Sequence, residues 1–157
     1  MQIAVLADTH IPKRAKSLPP MALTLLDQAD VIIHAGDILT ADFLEYLESI
    51  APIYAVLGNN DVGLSLPEQL EFKIEQTKFA LIHDSGAKLG RPGRMKKLFP
   101  QADIVIFGHS HVPVNEQYGD LLLFNPGSAT DRRRQPRCTM GMIEVSKQKI
   151  NARIIPL

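Results

Sequence analysis

The 157-residue sequence has little cysteine and no long apolar run. Its one cysteine, Cys138, excludes an internal disulfide and a cysteine-rich zinc site, and we expect it to be a small apolar residue of a strand. No run approaches the roughly 20 apolar residues of a membrane span. The N-terminus lacks the basic leader and the apolar length of a signal peptide. These absences predict a cytoplasmic protein with no membrane association.

The sequence also lacks an excess of either charge, because 17 Lys and Arg residues balance 17 Asp and Glu residues. A neutral total neither favours nor excludes nucleic acid, so a nucleic-acid partner is not indicated. The composition, with 45% hydrophobic and 22% charged residues, is typical of a globular protein. At this length we predict one domain over residues 1–157 with a core of its own.

Short apolar runs alternate with amphipathic segments in the first half of the chain. Strands are predicted near residues 3–7, 30–33 and 52–57. Helices are predicted over 21–28 and from an N-cap at Thr40 to Ser49. This order of elements is typical of a βαβαβ unit with a parallel sheet.

The second half of the chain is richer in strand signals. Two hairpins are predicted, over 70–82 with a turn at Gln76-Thr77 and over 114–124 with a turn at Gly119-Asp120. A short helix is predicted over 94–99. Further strands are predicted over 103–107, 138–145 and 150–155.

Five of the predicted strands end at side chains that commonly bind metal ions. Four of the chain's five histidines are among them, which random placement of polar residues after strands would rarely produce. In open α/β sheets, ligands bind beyond the carboxyl ends of the strands, so we expect these side chains to meet. The candidate metal ligands are Asp8, His10, Asp37, Asn59, His83, His109 and His111.

Seven side-chain donors are too many for one tetrahedral ion and suit two ions. Imidazole and carboxylate donors without thiolate favour Mn²⁺, Fe, Zn²⁺, Co²⁺ or Ni²⁺ over Ca²⁺ and Mg²⁺. Two divalent ions, two Asp carboxylates and one hydroxide leave a net charge of about +1, which favours a phosphate ligand. Because a hydroxide held between two such ions is a nucleophile at neutral pH, the pattern predicts metal-assisted phosphoester hydrolysis.

In these residues the sequence resembles the calcineurin-like metallophosphoesterases. The family signature of D-x-H, G-D, G-N, a lone His and G-H-x-H is present in complete order, as Asp8-Thr9-His10, Gly36-Asp37, Gly58-Asn59, His83 and Gly108-His109-Ser110-His111. Residues 125–128 match a further element of the small members, and the resemblance is closest to the small YfcE-like phosphodiesterases. It implies an α/β fold, a four-layer α-β-β-α sandwich in which two mixed β-sheets are flanked by helices.

The resemblance also implies roles for individual residues. One ion is expected to be held by Asp8, His10, Asp37 and His111, and the other by Asp37, Asn59, His83 and His109, with Asp37 bridging. The implied activity is that of a divalent-metal-dependent phosphodiesterase acting on a small phosphodiester through a hydroxide that bridges two transition-metal ions. Mn²⁺ is the first expectation, with Ni²⁺, Zn²⁺, Fe or Co²⁺ as alternatives. Asn60 and His109 are expected to be catalytic.

Two positions depart from the family pattern. Large members have a His directly after the Asn ligand, where it aids departure of the leaving group, and this chain has Asn60. Since Asn can donate a hydrogen bond to a phosphate oxygen but cannot act as a general acid, substrates with good leaving groups should react best. After His83, where the family often has Gly-His, this chain has Asp84-Ser85. Asp84 either orients a ligand histidine or is an ordinary loop residue.

Other functions are alternatives at this point. A non-catalytic scaffold is one, because the retromer subunit Vps29 has this fold with an impaired metal site, although the seven intact ligand positions favour catalysis here. A phosphomonoesterase or a nuclease would use the same ions, and the lack of a broad basic face in a neutral chain argues against the nuclease. A homodimer or higher homo-oligomer is compatible with the small members of the family.

Several polar residues near the motifs receive structural interpretations. His34 is predicted to be a hydrogen-bonded core histidine and Asp61 a turn or capping residue. Asn125 and Ser128 are predicted to shape the site. The basic loop 131–134 is predicted to be solvated, with contact to a phosphate as the alternative.

Overall fold

The computed structural model of the protein describes residues 1–147 and 149–157. The elements follow one another as β1 (Gln2–Leu6), α1 (Pro20–Asp27), β2 (Val31–His34), α2 (Ala41–Ile50), β3 (Ile53–Ala55), β4 (Gln69–Ile74), β5 (Thr77–Ile82), α3 (Arg91–Leu98), β6 (Ile104–Ile106), β7 (Val114–Tyr118), β8 (Leu121–Asn125), β9 (Thr139–Ser146) and β10 (Lys149–Pro156).

The first sheet has the strand order β10-β9-β1-β2-β3. β1, β2 and β3 are parallel, with Ile3 beside Val31, whereas β9 and β10 run antiparallel. Because α1 and α2 connect the parallel strands, the predicted βαβαβ unit is confirmed. The predicted N-cap of α2 is confirmed as well, since the Thr40 Oγ1 accepts a hydrogen bond from the backbone N–H of Phe43 at 3.3 Å.

The second sheet has the strand order β4-β5-β6-β8-β7. Its three central strands, β5, β6 and β8, are parallel, and the antiparallel edge strands β4 and β7 complete the two predicted hairpins. The turn of the first hairpin lies one residue earlier than the predicted Gln76-Thr77. Ile74 pairs with Thr77, so the turn lies at Glu75-Gln76, with Glu75 at φ 53°.

Two further predictions are corrected in detail. α3 begins at Arg91 rather than at residue 94, because Gly90 adopts a left-handed φ of 73° immediately before it and a proline occupies its first turn. Cys138 is half-buried and lies just before β9, not within a strand.

Side-chain alternation along the strands builds the layers. In β1, Ile3 and Val5 belong to the apolar cluster between the two sheets, whereas Leu6 belongs to the cluster under α1 and α2. On the outer face of the second sheet, Met95 of α3 packs in a third cluster with Val105. Full burial of each such side chain contributes about 1.5–3 kcal/mol. The four-layer α-β-β-α sandwich with two mixed sheets is therefore confirmed.

The helices are short, and α2 is ten residues long. Among the described residues, no helix has the length and apolar character that crossing a membrane requires.

The sandwich gathers the loops that follow β1, β2, β3, β5 and β6. Backbone hydrogen bonds continue past the strand ends, from the Asp8 N–H to the Gly36 carbonyl at 3.0 Å and from the Gly108 N–H to the His83 carbonyl at 2.9 Å. The two sheets are joined at this end by the backbone N–H of His109, which donates to the Asp8 Oδ1 at 3.2 Å. All five loops that carry the predicted ligands therefore lie together.

Candidate metal centre

The structure brings the seven predicted ligands into one continuous cluster. In two sets of three residues, each residue offers one ligand atom, and the three atoms of a set lie within 4.8 Å of one another: Asp8, His10 and His111, and Asp8, Asp37 and His83. The first set, which we call the buried group, is 0%, 6% and 1% exposed, respectively. Both sets offer only imidazole and carboxylate donors, which suit a divalent transition-metal ion.

Asp37 lies between the histidines of the two sets. Its Oδ2 is 3.4 Å from the Nε2 of His10 and 3.6 Å from the Nε2 of His83. Asp8 is also shared, because its Oδ1 is 3.6 Å from the Nε2 of His111 and 3.9 Å from that of His83. The carboxylates are therefore placed where each can serve two neighbouring positions.

The remaining two predicted ligands, Asn59 and His109, form what we call the rim pair. The Asn59 Oδ1 is 3.0 Å from the Nε2 of His83 and 3.1 Å from the Nδ1 of His109. The His109 side chain is 47% exposed. The cluster therefore opens to solvent at the rim pair, and a substrate can enter there.

The backbone is left-handed at five of the seven positions. Positive φ angles of 45° to 67° occur at Asp8, His10, Asp37, His109 and His111. Such angles are uncommon outside glycine and cost energy at each residue, and they collect at functional sites where the surrounding structure holds them. The D-x-H and H-x-H spacings each place this conformation at their first and third residues, which directs both side chains of each motif into the cluster.

Two glycines of the motifs permit the close approach of these loops. Gly36 has a φ of 90°, and a β-carbon there would lie 2.7 Å from the Nδ1 of His83. A β-carbon at Gly58 would collide with the backbone nitrogen and the Oδ1 of Asp37. The glycines before the Asp and Asn ligands are thus required by the packing of the ligands themselves.

Backbone carbonyls determine which nitrogen of two histidines is free. The Nδ1 of His83 lies 2.7 Å from the Ala35 carbonyl oxygen, and the Nδ1 of His111 lies 2.6 Å from the Asp131 carbonyl oxygen. Because a carbonyl can only accept, each Nδ1 carries the proton and donates it. The Nε2 of each ring is then the nitrogen left to bind a metal ion, and it is directed at the carboxylates, as metal-ligating histidines require.

Asp8 has a buried carboxylate oxygen without a hydrogen-bond partner in the described part of the chain, and a metal ion would supply this oxygen with a partner. It is fully buried, and its Oδ2 has no hydrogen-bond partner among the described residues. Burial and the nearby charge of Asp37 raise the pKa of Asp8 to about 8. Since a buried ionised carboxylate is costly without a partner, a divalent cation fits this position by its charge and by the donors around it.

Asp37 is held in its ionised form by Asn60. The backbone N–H and the side-chain amide of Asn60 each donate to a carboxylate oxygen of Asp37 at 2.8 Å. Burial alone would raise the pKa of Asp37, but these two hydrogen bonds and the neighbouring histidines lower it. The predicted catalytic role of Asn60 stays a prediction, and its amide is engaged with Asp37 in this structure.

His34 is a hydrogen-bonded core histidine, as predicted. It is fully buried, and its Nε2 lies 3.0 Å from the Thr9 Oγ1. Burial lowers the pKa of His34 to about 3, so the ring is neutral. It packs beneath the D-x-H loop and does not belong to either donor set.

The Asn-Pro-Gly-Ser segment shapes the site, as predicted. The Ser128 Oγ donates to the Asp8 carbonyl at 2.7 Å, and the Asn125 amide donates to the Gly108 carbonyl at 3.0 Å. These hydrogen bonds connect the D-x-H and G-H-x-H loops to a third loop, which helps to hold their left-handed residues.

Asp61 does more than the predicted turn or capping role. Its carboxylate accepts hydrogen bonds from the backbone N–H groups of Gly58 at 2.8 Å, Asp37 at 2.9 Å and Leu39 at 2.7 Å. Only the Gly58 contact is local enough for turn chemistry to indicate it. Asp61 therefore fastens the Asp37 loop to the Asn59 loop.

The contacts of Asp84 are those of an ordinary loop residue and not those of a carboxylate that orients a ligand histidine. Its Oδ1 accepts a hydrogen bond from the backbone N–H of Gly86 at 2.8 Å. Its Oδ2 is 4.0 Å from the Nε2 of His109, which is beyond hydrogen-bond distance.

Comparison with known proteins gives consistent matches along the chain. The family model of the calcineurin-like phosphoesterase superfamily domain matches residues 1–148. A probable metallophosphoesterase of Methanothermobacter thermautotrophicus is 35% identical over 159 residues, which cover 99% of this chain and 92% of the relative.

Two solved structures are similar over their whole length. One is an archaeal phosphodiesterase, with a TM-score of 0.75 and 23% identity, covering 99% of this chain and 100% of that one. The other is wild-type Vps29 from Entamoeba histolytica complexed with Zn²⁺, with a TM-score of 0.80 and 21% identity, covering 99% of both chains. At these identities the two structures show a shared fold.

Proposed function

The chain belongs to the calcineurin-like phosphoesterase superfamily, and from this premise we propose that it is a phosphodiesterase that hydrolyses a small phosphodiester with two divalent metal ions. The observation that carries the proposal is the pair of donor sets that share Asp8, with the Asp37 Oδ2 of the second set also 3.4 Å from the Nε2 of His10 in the first. Mn²⁺ is our first expectation for the ions, since imidazole and carboxylate donors suit it. The similarity in fold to an archaeal phosphodiesterase supports a diester rather than a monoester.

We propose the division of the seven side chains between two ions that the family signature implies, and the contacts of Asp37 with both His10 and His83 support its bridging place. We assign one ion to Asp8, His10, Asp37 and His111, and the other to Asp37, Asn59, His83 and His109. When bound, two such ions make hydroxide available at neutral pH and stabilise the negative charge that develops on a phosphoryl group.

The chain's own residues orient these donors before a substrate arrives. Asn60 fixes both carboxylate oxygens of Asp37. The carbonyls of Ala35 and Asp131 fix the imidazoles of His83 and His111. A site organised in advance needs little rearrangement in the transition state, which is where such sites gain most of their rate.

The leaving group decides which diesters react fastest. Asn60 has no proton that it can give up as an acid, so we expect little help for a poor leaving group from this position. His109, exposed at the rim, is the protein side chain that we expect to meet the substrate's phosphoryl group first. Aryl diesters should therefore be hydrolysed faster than alkyl diesters.

Metal-restored turnover tests the proposal. The protein is stripped with a chelator and assayed with bis-p-nitrophenyl phosphate and p-nitrophenyl phosphate, with Mn²⁺, Ni²⁺, Zn²⁺ or no metal. We expect turnover to return with metal and to be faster for the diester. Faster turnover of the monoester would make the protein a phosphomonoesterase that uses the same ions.

A non-catalytic scaffold is the second candidate, because the chain shares its fold with Vps29, and the Vps29 structure compared above is complexed with Zn²⁺. Metal content alone therefore does not separate the two functions. Bound metal without turnover of either substrate would favour the scaffold. The complete set of predicted ligands in this chain favours catalysis.

A further inference from the structure

Two clefts of different charge border the candidate metal centre. The first, of about 350 Å³, lies at the side of the buried group and is lined by His10, Lys13, Arg14, Leu39, Asn60 and Arg133. We call it the basic cleft. Its lining joins residues from the D-x-H loop, from the loop after β2, from the loop after β3 and from the basic loop 131–134.

The second cleft, also of about 350 Å³, lies at the side of the rim pair. Its polar lining includes Asn59, Glu68, Gln69, His83 and Asp84. Among the described residues that line this cleft, none is Lys or Arg. We call it the acidic cleft.

The charge of the basic cleft is largely uncompensated. Arg14 is paired, because its Nε lies 3.6 Å from the Asp131 Oδ2. Within the described part of the chain, no carboxylate lies within salt-bridge distance of Lys13 or Arg133. Arg133 lines the same cleft as His10, so its charge lies beside the buried group.

The whole chain has no net charge. A substrate's preference for one cleft over the other therefore has to come from the charged side chains that line each cleft. A phosphodiester bound at the centre extends one ester arm to each side. An anionic group on one arm is attracted by Lys13 and Arg133 and repelled by Glu68 and Asp84. The two clefts therefore favour one orientation of a substrate whose arms differ in charge.

Resting on the proposed phosphodiesterase function, we propose that the substrate is a phosphodiester with a further anionic group, a second phosphate or a carboxylate, on one arm. That arm lies in the basic cleft and is bound by Lys13 and Arg133. The other arm is neutral or cationic and lies in the acidic cleft.

Three phosphate monoesters of similar size test this preference directly. Ethyl phosphate has a neutral arm, 2-phosphoglycolate an anionic arm and phosphoethanolamine a cationic arm. Their dissociation constants for the metal-loaded protein are measured by calorimetry, and their inhibition constants against bis-p-nitrophenyl phosphate are measured in parallel. We expect 2-phosphoglycolate to bind about threefold to tenfold more tightly than ethyl phosphate, as two exposed cations allow. The preference should shrink in high salt.

Matched variants locate the preference. Arg133→Gln is expected to lower the affinity ratio of 2-phosphoglycolate to ethyl phosphate, and Lys13→Gln combined with Arg133→Gln is expected to bring it close to one. Arg134→Gln is the control, because it removes the same charge from an exposed neighbour in the same loop that does not line the cleft. Its ratio should equal that of the wild type.

The outcomes separate this inference from the proposed function. Equal affinity for the three monoesters in a wild-type protein that turns over bis-p-nitrophenyl phosphate would overturn the inference and leave the phosphodiesterase standing. An equal loss of preference in Arg134→Gln and Arg133→Gln would also overturn it, because the effect would then come from the overall positive charge of the loop and not from the lining of the cleft. Absence of metal-restored turnover in the wild type would instead contradict the proposed function.

Discussion

The buried group and the rim pair come from the same short motifs and yet occupy different environments. His109 and His111 are two residues apart, but the side chain of His109 is 47% exposed and that of His111 is 1% exposed. A buried donor has lost its water and depends on a partner, whereas an exposed donor keeps its water and can exchange ligands. We infer that the buried group binds its ion more tightly and that the rim pair is where substrate and the second ion meet solvent.

Asp37 contacts His10 of the buried group and, on its other side, His83, which contacts Asn59 of the rim pair, so its replacement should break the comparison altogether. We expect Asp37→Asn to lower turnover of bis-p-nitrophenyl phosphate by on the order of 10³-fold, because metal ions contribute several kcal/mol and 1.36 kcal/mol is a factor of ten. Steady-state kinetics and elemental analysis measure the loss. Asp27→Asn is the control, since Asp27 is an exposed aspartate at the end of α1. Full activity and metal content in Asp37→Asn would refute the shared role.

The buried His34 beside the centre should also make the stability of the metal-free protein depend on pH. Burial lowers the pKa of His34 from 6.5 to about 3 in the folded protein. Between these values the unfolded chain binds more protons at His34 than the folded protein does. The contribution of His34 to the free energy of unfolding therefore falls as the pH drops below about 6.5 and is constant above that pH. Over the two pH units below about 6.5, this lowers the free energy of unfolding by up to about 3 kcal/mol.

Urea unfolding of the metal-free protein between pH 4.5 and 7.5 measures this slope. Burial lowers the pKa of His10 and His111 as well, and these groups act in the same direction. The pKa of Asp8, raised to about 8, acts in the opposite direction, because the folded protein keeps that proton where the unfolded chain has lost it. The contribution of His34 is therefore the difference between the wild type and His34→Gln, which should be less stable overall and have a shallower slope. Parallel slopes for the two proteins would show that His34 does not titrate in this way.

Removing each histidine of the H-x-H pair compares the two regions directly. We expect His111→Ala and His109→Ala each to weaken a different ion first. The loss should be larger for His111→Ala by about tenfold to 100-fold, because His111 is buried, where a lost polar partner costs about 1–3 kcal/mol, whereas water can replace the exposed His109. Calorimetric metal titration with two sites resolves the ions. Equal weakening of one and the same ion by both variants would contradict the division into two regions.

Sequence patterns predicted the layers and the ligand cluster for a physical reason. The apolar runs of β1, β2 and β6 have no polar alternation and had to be buried on both faces, and parallel strands bring their carboxyl ends to one edge. Asp8, Asp37 and His83 could therefore be placed together from their positions after strands alone. The glycines Gly36 and Gly58, which precede Asp37 and Asn59, are explained by how closely these loops pack.

Contacts between loops were not predictable in the same way. Asp61 meets Asp37 across 24 residues, and Arg133 meets the D-x-H loop across more than a hundred. No periodicity relates such residues, because their meeting depends on the course of two separate loops. Asn60 likewise was expected to face a phosphate, and in the structure its amide donates to Asp37.

Asp61 connects the loop of Asp37 to the loop of the rim pair, so its replacement gives the finest test of how the two regions are coupled. In Asp61→Asn the side chain keeps one accepting oxygen in place of two, and one or two of its three backbone hydrogen bonds are lost. We expect metal affinity to fall by about tenfold, the lower end of the effect of residues that orient metal ligands. The matched control is Asp103→Asn, since the Asp103 carboxylate also accepts from a backbone N–H, that of Lys78 at 2.7 Å, away from the centre. Both variants should lower the free energy of unfolding, but only Asp61→Asn should lower metal affinity; the same metal affinity in both would show that Asp61 stabilises the fold without positioning the ligands.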